Sequence, residues 1–274
     1  MPELPEMASR AREMHDALSG RTIDGAEVLQ PKCLNVEPEE LVASLSGARV
    51  AGVSHRGKWL QCDTSRGHLL INLGMGGEIL LVARDALPEK WRVRFDLDRG
   101  GALAINFWWL GHVHYVPEGE LATHRLTCEL GPNATELSQA AFTELLAGRR
   151  GRIKPFLLDQ RRVAGIGNAY IHDILFRAKL HPLRTIPTLS RDEIRALHRA
   201  IRAELGRSLK VGGAWYELDL HGNPGGFRRE DLLIAYREGE PCPECRTPIE
   251  RVRTGANHGF LCPSCQPLVP TSVG

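Results

Sequence analysis

The chain has 274 residues, 42% hydrophobic and 25% charged, which allows a full apolar core and excludes a disordered or fibrous protein. A formal charge of +2 excludes a uniformly basic nucleic-acid binder, so any surface for a polyanion must be a local patch. The sequence has neither a long apolar run of membrane-spanning length nor a basic-then-apolar leader, so the expectation is a cytoplasmic protein that does not engage a membrane.

In chain order, Met7, Ala8, Ala11, Met14 and Leu18 share one stripe and predict a helix over residues 5–19, ended by Gly20. From Thr22 to Val116 the texture changes to short apolar runs: Ala48–Val53, Trp59–Cys62, Leu69–Leu73, Glu78–Val82, Trp91–Leu97 and Leu103–Trp108. Turn residues at Thr64–Gly67 and Arg99–Gly101 separate them, and many short strands at this spacing predict a β-sandwich or barrel. Sequence patterning weakens between Val116 and Leu137, and the helical period then returns. Ser138–Ala147 reads as one helix. Ser190 and Glu193 form a capping box ahead of Ile194, Leu197, Ile201, Leu205 and Leu209, which recur at helical steps. Residues 211–229 are a glycine-rich loop, long enough to expect a function for it.

The seven cysteines are odd in number and four of them cluster, which fits a reducing compartment and a metal site better than a disulfide scaffold. Cys242-Pro-Glu-Cys245 and Cys262-Pro-Ser-Cys265 are two C-x2-C knuckles with sixteen residues between them. Their four thiolates suit one tetrahedral structural zinc and leave no open position for catalysis; two redox pairs or a disulfide pair are the alternative. At the other end, Pro2-Glu3-Leu4-Pro5-Glu6 suits an ordinary helix start, where proline and acids are favoured. It also suits chemistry once Met1 is removed. An α-amine titrates near 8, so part of it is neutral at pH 7. A secondary amine can attack a sugar C1′ to give an iminium while neighbouring carboxylates move protons.

Taken with Gly57-Lys58, Leu73-Gly74-Met75, Leu157-Leu158-Asp159-Gln160, Val163–Asn168, Asp173–Phe176, His181-Pro182 and Gly239–Cys242, these segments resemble the formamidopyrimidine-DNA glycosylase/endonuclease VIII family over nearly the whole chain. The resemblance implies an α+β multidomain fold. Residues 1–125 would form an N-terminal helix plus β-sandwich, 126–235 a helix–two-turn–helix DNA-binding domain, and 236–274 the zinc finger and tail. It implies a monomer acting on damaged double-stranded DNA, nucleoid-associated when bound, with DNA lying in a cleft between the domains. The activity implied is excision of oxidised or ring-opened bases through a Pro2 iminium, then β- and δ-elimination. Pro2 would be the nucleophile, Glu3 the acid for ring opening and base loss, and Glu6 a holder of the geometry. Lys58 would contact phosphate near the lesion, Met75 would fill the gap left by the flipped nucleotide, and Asn168 would grip a backbone phosphate. Lys154 lies in a basic stretch with Arg149, Arg150, Arg152, Arg161 and Arg162, the local patch that the net charge conceals.

Two departures from the family pattern bear on the substrate. The usual D-P-R-R-F-G reads Asn106-Phe107-Trp108-Trp109-Leu110-Gly111, so Trp109 and Leu110 replace the arginine and phenylalanine that join methionine in the duplex gap. Tryptophan stacks but offers a single donor, which predicts weak preference for the opposite base. Asn257 stands where the zinc-finger arginine is expected, losing charge and fork geometry, with Arg251, Arg253 or His258 as substitutes. These departures leave two rivals: an abasic-site or atypical-lesion enzyme, and a non-catalytic binder of damaged DNA.

Overall fold

The computed structural model describes residues 1–255 and 258–268 and divides into two compact units. Unit 1 is Met1–Leu130 with Leu209–Phe227; unit 2 is Gly131–Ser208 with Arg228 onward.

Unit 1 opens with α1 (Leu4–Leu18), whose Met7, Ala11, Met14 and Leu18 are buried as the stripe requires. Eight strands follow: β1 (Thr22–Val28), β2 (Ala48–Arg56), β3 (Trp59–Thr64), β4 (Gly67–Asn72), β5 (Glu78–Ala83), β6 (Val93–Leu97), β7 (Gly101–Asn106) and β8 (His112–Val116), with helix α2 (Pro38–Leu45) between β1 and β2. The antiparallel order is β5-β7-β6-β1-β2-β3-β4-β8. Strands β1 and β2 are joined by only two residue pairs, Thr22 with Arg49 and Ile23 with Ala48, and β1 is bulged between Ile23 and Gly25. A bulge increases local twist, which lets the sheet fold across this seam into the two layers of a sandwich. Ile23, Val50, Leu60, Ile71, Phe95, Ile105 and Val113 fill the layer between, with α1 packed on β2.

Unit 2 contains α3 (Gln139–Leu146), α4 (Ile153–Leu158), α5 (Ile171–Arg177) and α6 (Arg191–Lys210). Ser138 caps α3 by accepting from Ala141 N at 3.1 Å. Ser190 and Glu193 form the expected reciprocal box, with Ser190 N donating to Glu193 Oε2 at 2.7 Å and Glu193 N to Ser190 Oγ at 3.2 Å. The hairpin of β9 (Glu250–Arg253) and β10 (His258–Leu261) belongs to this unit. Phe176, Ile234, Cys242, Ile249 and Cys262 share one apolar cluster. Fully buried Asp173 accepts the backbone N–H groups of Leu233, Ile234 and Ala235 at 2.8–2.9 Å, and fixes the chain entering the cysteine module.

The glycine-rich loop differs from the sequence-drawn domains. Leu209–Phe227 returns to unit 1, whereas its place in the sequence groups it with the second domain. Carboxylates of α1 hold its backbone, and Leu220 is buried in the sandwich core, where its carbonyl accepts from Leu81 N at 2.9 Å.

Candidate nucleotide-excision site and zinc centre

The start of α1 concentrates buried acid. Pro2, Glu3 and Glu6 are all buried. Glu6 Oε2 accepts from Glu3 N at 2.8 Å, half of a capping arrangement, and Glu6 Oε1 accepts from Ala214 N at 2.9 Å. Both oxygens are therefore committed to backbone, one to the helix start and one to the loop. The close approach explains Gly213: its φ is +96°, and a Cβ there would lie 2.8 Å from Glu6 Cγ. About two helical turns further on, Glu13 Oε2 accepts from Leu220 N at 2.9 Å. Between the two acids sits Arg10, buried, with Nη1 3.3 Å from Glu13 Oε2. Glu6 and Glu13, with Arg10 between them, thus form one polar face of α1 whose acids hold the backbone of residues 214–220. Glu217 lies in that loop with its side chain only 10% exposed and Oε1 3.6 Å from the terminal nitrogen of Met1.

Lys58 occupies the turn between β2 and β3. Asn72 Nδ2 donates to its carbonyl at 2.9 Å, while Asn72 Oδ1 accepts from Gly74 N at 2.9 Å. One side chain thus ties the lysine turn to the loop carrying Met75. That loop pairs with a second: Met75 N donates to Trp109 O at 2.8 Å, and Trp108 N to Met75 O at 3.0 Å. Gly74 is required here, since a Cβ would lie 2.1 Å from Trp109 O. The paired tips hold apolar side chains in solvent, with Met75 51%, Trp108 72%, Trp109 71% and Leu110 66% exposed. Core packing of Met75, the ordinary role of a methionine, does not describe it. Leu110 adopts φ 57°, a left-handed conformation that residues other than glycine rarely take.

In unit 2, Gln160 holds the segment leading to Asn168. Its Nε2 donates to Leu158 O and Ile166 O, and its Oε1 accepts from Gly165 N, all within 2.9 Å. Asn168 lines a cavity of ≈330 Å³ with His172, Tyr236, Arg251, His258 and Phe260. Arg251 Nη2 lies 3.1 Å from His258 Nδ1. Asn257 lies outside the described residues. Lys154 corrects the surface-patch expectation: it is 1% exposed, and its ammonium donates to Thr254 Oγ1 at 3.1 Å and His258 O at 2.7 Å. Burial pushes it down to about 8, and it ties α4 to the β9–β10 hairpin.

The four cysteines of that module converge. Their Sγ atoms all lie within 4.8 Å of one another, with Cys245–Cys262 at 3.4 Å and Cys242–Cys265 at 3.9 Å. A tetrahedral ion with bonds of about 2.3 Å to sulfur needs separations of about 3.8 Å, so the set fits zinc and is closed. Gln266 fastens the module from behind: its Oε1 accepts from Cys262 N at 3.0 Å and its Nε2 donates to Leu180 O at 2.7 Å.

Sequence comparison agrees with this construction along the chain. Residues 1–106 match the formamidopyrimidine-DNA glycosylase N-terminal domain, 130–218 the H2TH domain of the same enzymes, and 239–268 the zinc finger found in FPG and IleRS. The chain is 37% identical over 273 residues to formamidopyrimidine-DNA glycosylase of Chloroflexus aurantiacus, covering 97% of this chain and 98% of that protein. It is 38% identical over 276 residues to that of Chloroflexus aggregans, covering 98% and 100%. The structure is similar to Lactococcus lactis Fpg in complex with abasic-site DNA, at TM-score 0.89, 28% identity and coverage of 97% and 100%. It is equally similar to the wild-type Lactococcus enzyme with DNA containing N7-benzyl-Fapy-dG, at TM-score 0.89, 29% identity and the same coverage. The fold and its cysteine module are those of a zinc-finger DNA glycosylase that also cleaves abasic sites. The chain belongs to the formamidopyrimidine-DNA glycosylase family.

Sequence reading missed Asn72, Gln160, Arg10, Glu13 and Glu217. The polar spacing 3, 6, 10, 13 on α1 was a signal for some of them, but nothing local names the loop that this face meets.

Zinc removal tests the centre directly. Cys262→Ser is expected to lower zinc from one ion per chain to none and to lower the melting temperature, because zinc-binding free energy is folding free energy here. An unchanged melting temperature after complete chelation would contradict a structural metal.

Proposed function

We propose that Pro2, exposed as the terminal residue by removal of Met1, attacks C1′ of a flipped, oxidised or ring-opened nucleotide in duplex DNA. The observation that carries this reading is the α1 start, where Pro2 is buried beside Glu3 and Glu6 and Glu6 is held from two sides. A helix start with no chemical role has no need to bury two acids against a distant loop. Glu3 promotes opening of the sugar ring and departure of the base. The iminium acidifies C2′, and β-elimination followed by δ-elimination cleaves the strand. Lys58 contacts phosphate near the lesion, Met75 enters the gap, and Asn168 grips a phosphate. The neighbouring structures, solved with abasic-site and N7-benzyl-Fapy-dG-containing DNA, support damaged DNA as partner. The protein works as a cytoplasmic monomer, nucleoid-associated on DNA; among the described residues no helix is long and apolar enough to cross a membrane.

The intact N-terminal acids weigh against a non-catalytic damage binder, since binding alone needs no nucleophile. Borohydride trapping on a duplex with one abasic site separates the two. The processed enzyme is expected to form a covalent adduct that a Met1-retaining form does not, and absence of adduct from a folded, DNA-binding, processed protein would sink the lyase mechanism.

Trp109 stacks on the orphaned base without reading its edge, supported by its exposure at a rigid tip. Excision rates opposite A, C, G and T should then agree within about threefold, because stacking is sequence-tolerant. A strong preference for one opposite base would remove this role. Arg251 supplies the cation that Asn257 lacks, supported by its place in one cavity with Asn168. Arg251→Ala is expected to weaken binding about tenfold for all sequences and to reduce the salt slope by about one. An unchanged slope would assign the charge elsewhere.

A further inference from the structure

Glu217 is a buried acid beside the terminal amine that none of the roles above uses. Its position is not a matter of loop chance. Glu6 holds Ala214 N on one side and Glu13 holds Leu220 N on the other. Within the loop, Glu217 N donates to Ala214 O and Gly225 N donates to Glu217 O, both at 3.0 Å. The side chain is thereby turned toward the N-terminus, with Oε1 3.6 Å from the terminal nitrogen. That nitrogen belongs to Met1 in the full chain; removal of Met1 moves the amine inward by one residue, about 3.8 Å of Cα trace.

We propose that Glu217 is the proton acceptor that turns the terminal ammonium of Pro2 into the free amine nucleophile. The inference rests on Pro2 being the nucleophile. An ammonium nitrogen has no lone pair to offer, so a proton has to leave before attack. Glu6 is poorly placed to take it, because both of its oxygens already accept from backbone N–H groups. In the unprocessed chain Glu217 has the Met1 ammonium, one residue from Pro2, as its ion partner. Burial and repulsion from Glu6 push its carboxyl up to about 7, against the pull of the terminal amine and Arg10. An ordinary glutamate titrates near 4 and is too weak a base for an amine near 8; a carboxylate near 7 is matched to it.

The proton balance on an abasic site is simple. The Pro2 ammonium gives one proton to the Glu217 carboxylate, leaving the secondary amine and a carboxylic acid. The nitrogen lone pair forms a bond to the C1′ carbon of the open-chain aldehyde, and the carbonyl oxygen takes up the π pair. The amine's second proton and the proton held by Glu217 leave with that oxygen as water, the C–O bond breaks, and the nitrogen pair completes the iminium. With a base attached, the same first transfer precedes attack, and the C1′–N bond pair leaves with the base.

The groups facing Glu217 are the terminal amine, Glu6 and Arg10, with Glu13 and Asp219 around Arg10. As pH falls through about 7, Glu217 becomes protonated and cannot accept, so adduct formation slows. The test is the rate of borohydride-trapped adduct on an abasic-site duplex across roughly pH 5.5 to 9, for zinc-loaded, Met1-processed enzyme. Wild type is expected to lose rate on the acid side near pH 7. E217Q should be about 100-fold slower at pH 7 and approach wild type at high pH, where solvent deprotonates the amine unaided. E217D, which keeps an acid at the site, should retain the acid limb at reduced rate, and both variants should bind an uncleavable abasic analogue as wild type does. E217Q with the wild-type rate and profile, or with a constant deficit at every pH, would overturn the assignment while leaving Pro2 in place. Wild type that traps no adduct at any pH would overturn the nucleophile and this role together.

Discussion

The two-sided grip of the Glu6 carboxylate is the interaction on which the rest of this protein depends. One oxygen closes the first turn of α1 through Glu3 N; the other reaches Ala214 N, 208 positions away in sequence. A buried carboxylate is costly unless its lone pairs are used, and a hydrogen bond to a charged acceptor contributes about 1.5–3 kcal/mol. Neither partner alone satisfies Glu6, so the helix start and the glycine-rich loop stabilise each other. Gly213 follows from the same geometry, since no side chain fits where the loop backbone passes the acid.

The same device recurs through both units. Asn72 joins the turn of Lys58 to the loop of Met75, Gln160 shapes the approach to Asn168, and Asp173 gathers three N–H groups ahead of the cysteine module. Asp173 is pushed up to about 6 by burial even so, which shows how dry its surroundings are. Each polar side chain replaces regular secondary structure as the partner for irregular backbone. Functional loops held this way are preorganised, so little ordering is left to be done when DNA arrives.

The chain departs from its family's D-P-R-R-F-G pattern at the exposed tips and keeps the Pro2-Glu3-Leu4-Pro5-Glu6 start. The exposed tips carry Trp108, Trp109 and Leu110 on a framework that the Met75–Trp109 pairing makes rigid. The side chains at these tips are independent of the Glu6 carboxylate, whose partners are the backbone N–H groups of Glu3 and Ala214 in the same unit. Lys154 is a different kind of departure from a surface reading. A lysine within a run of arginines reads as part of a basic face, yet it is buried and spent on Thr254 and the carbonyl of His258.

The sequence by itself determined whatever is written in local spacing. The α1 stripe, the helix starting at Ser138, the capping box at Ser190, the strand runs of the sandwich and the two cysteine knuckles all came out where their periods placed them. The motifs at Pro2, Glu3 and Glu6 were legible for the same reason, since their residues are neighbours in the chain. Only the tertiary structure decided that residues 209–227 belong to unit 1, that Glu217 stands at the amine, and that Arg10 is buried between two acids. The first two outcomes depend on partners some 200 positions apart, and in all three burial rather than residue type fixes what a charged side chain does, which no pattern of local period carries.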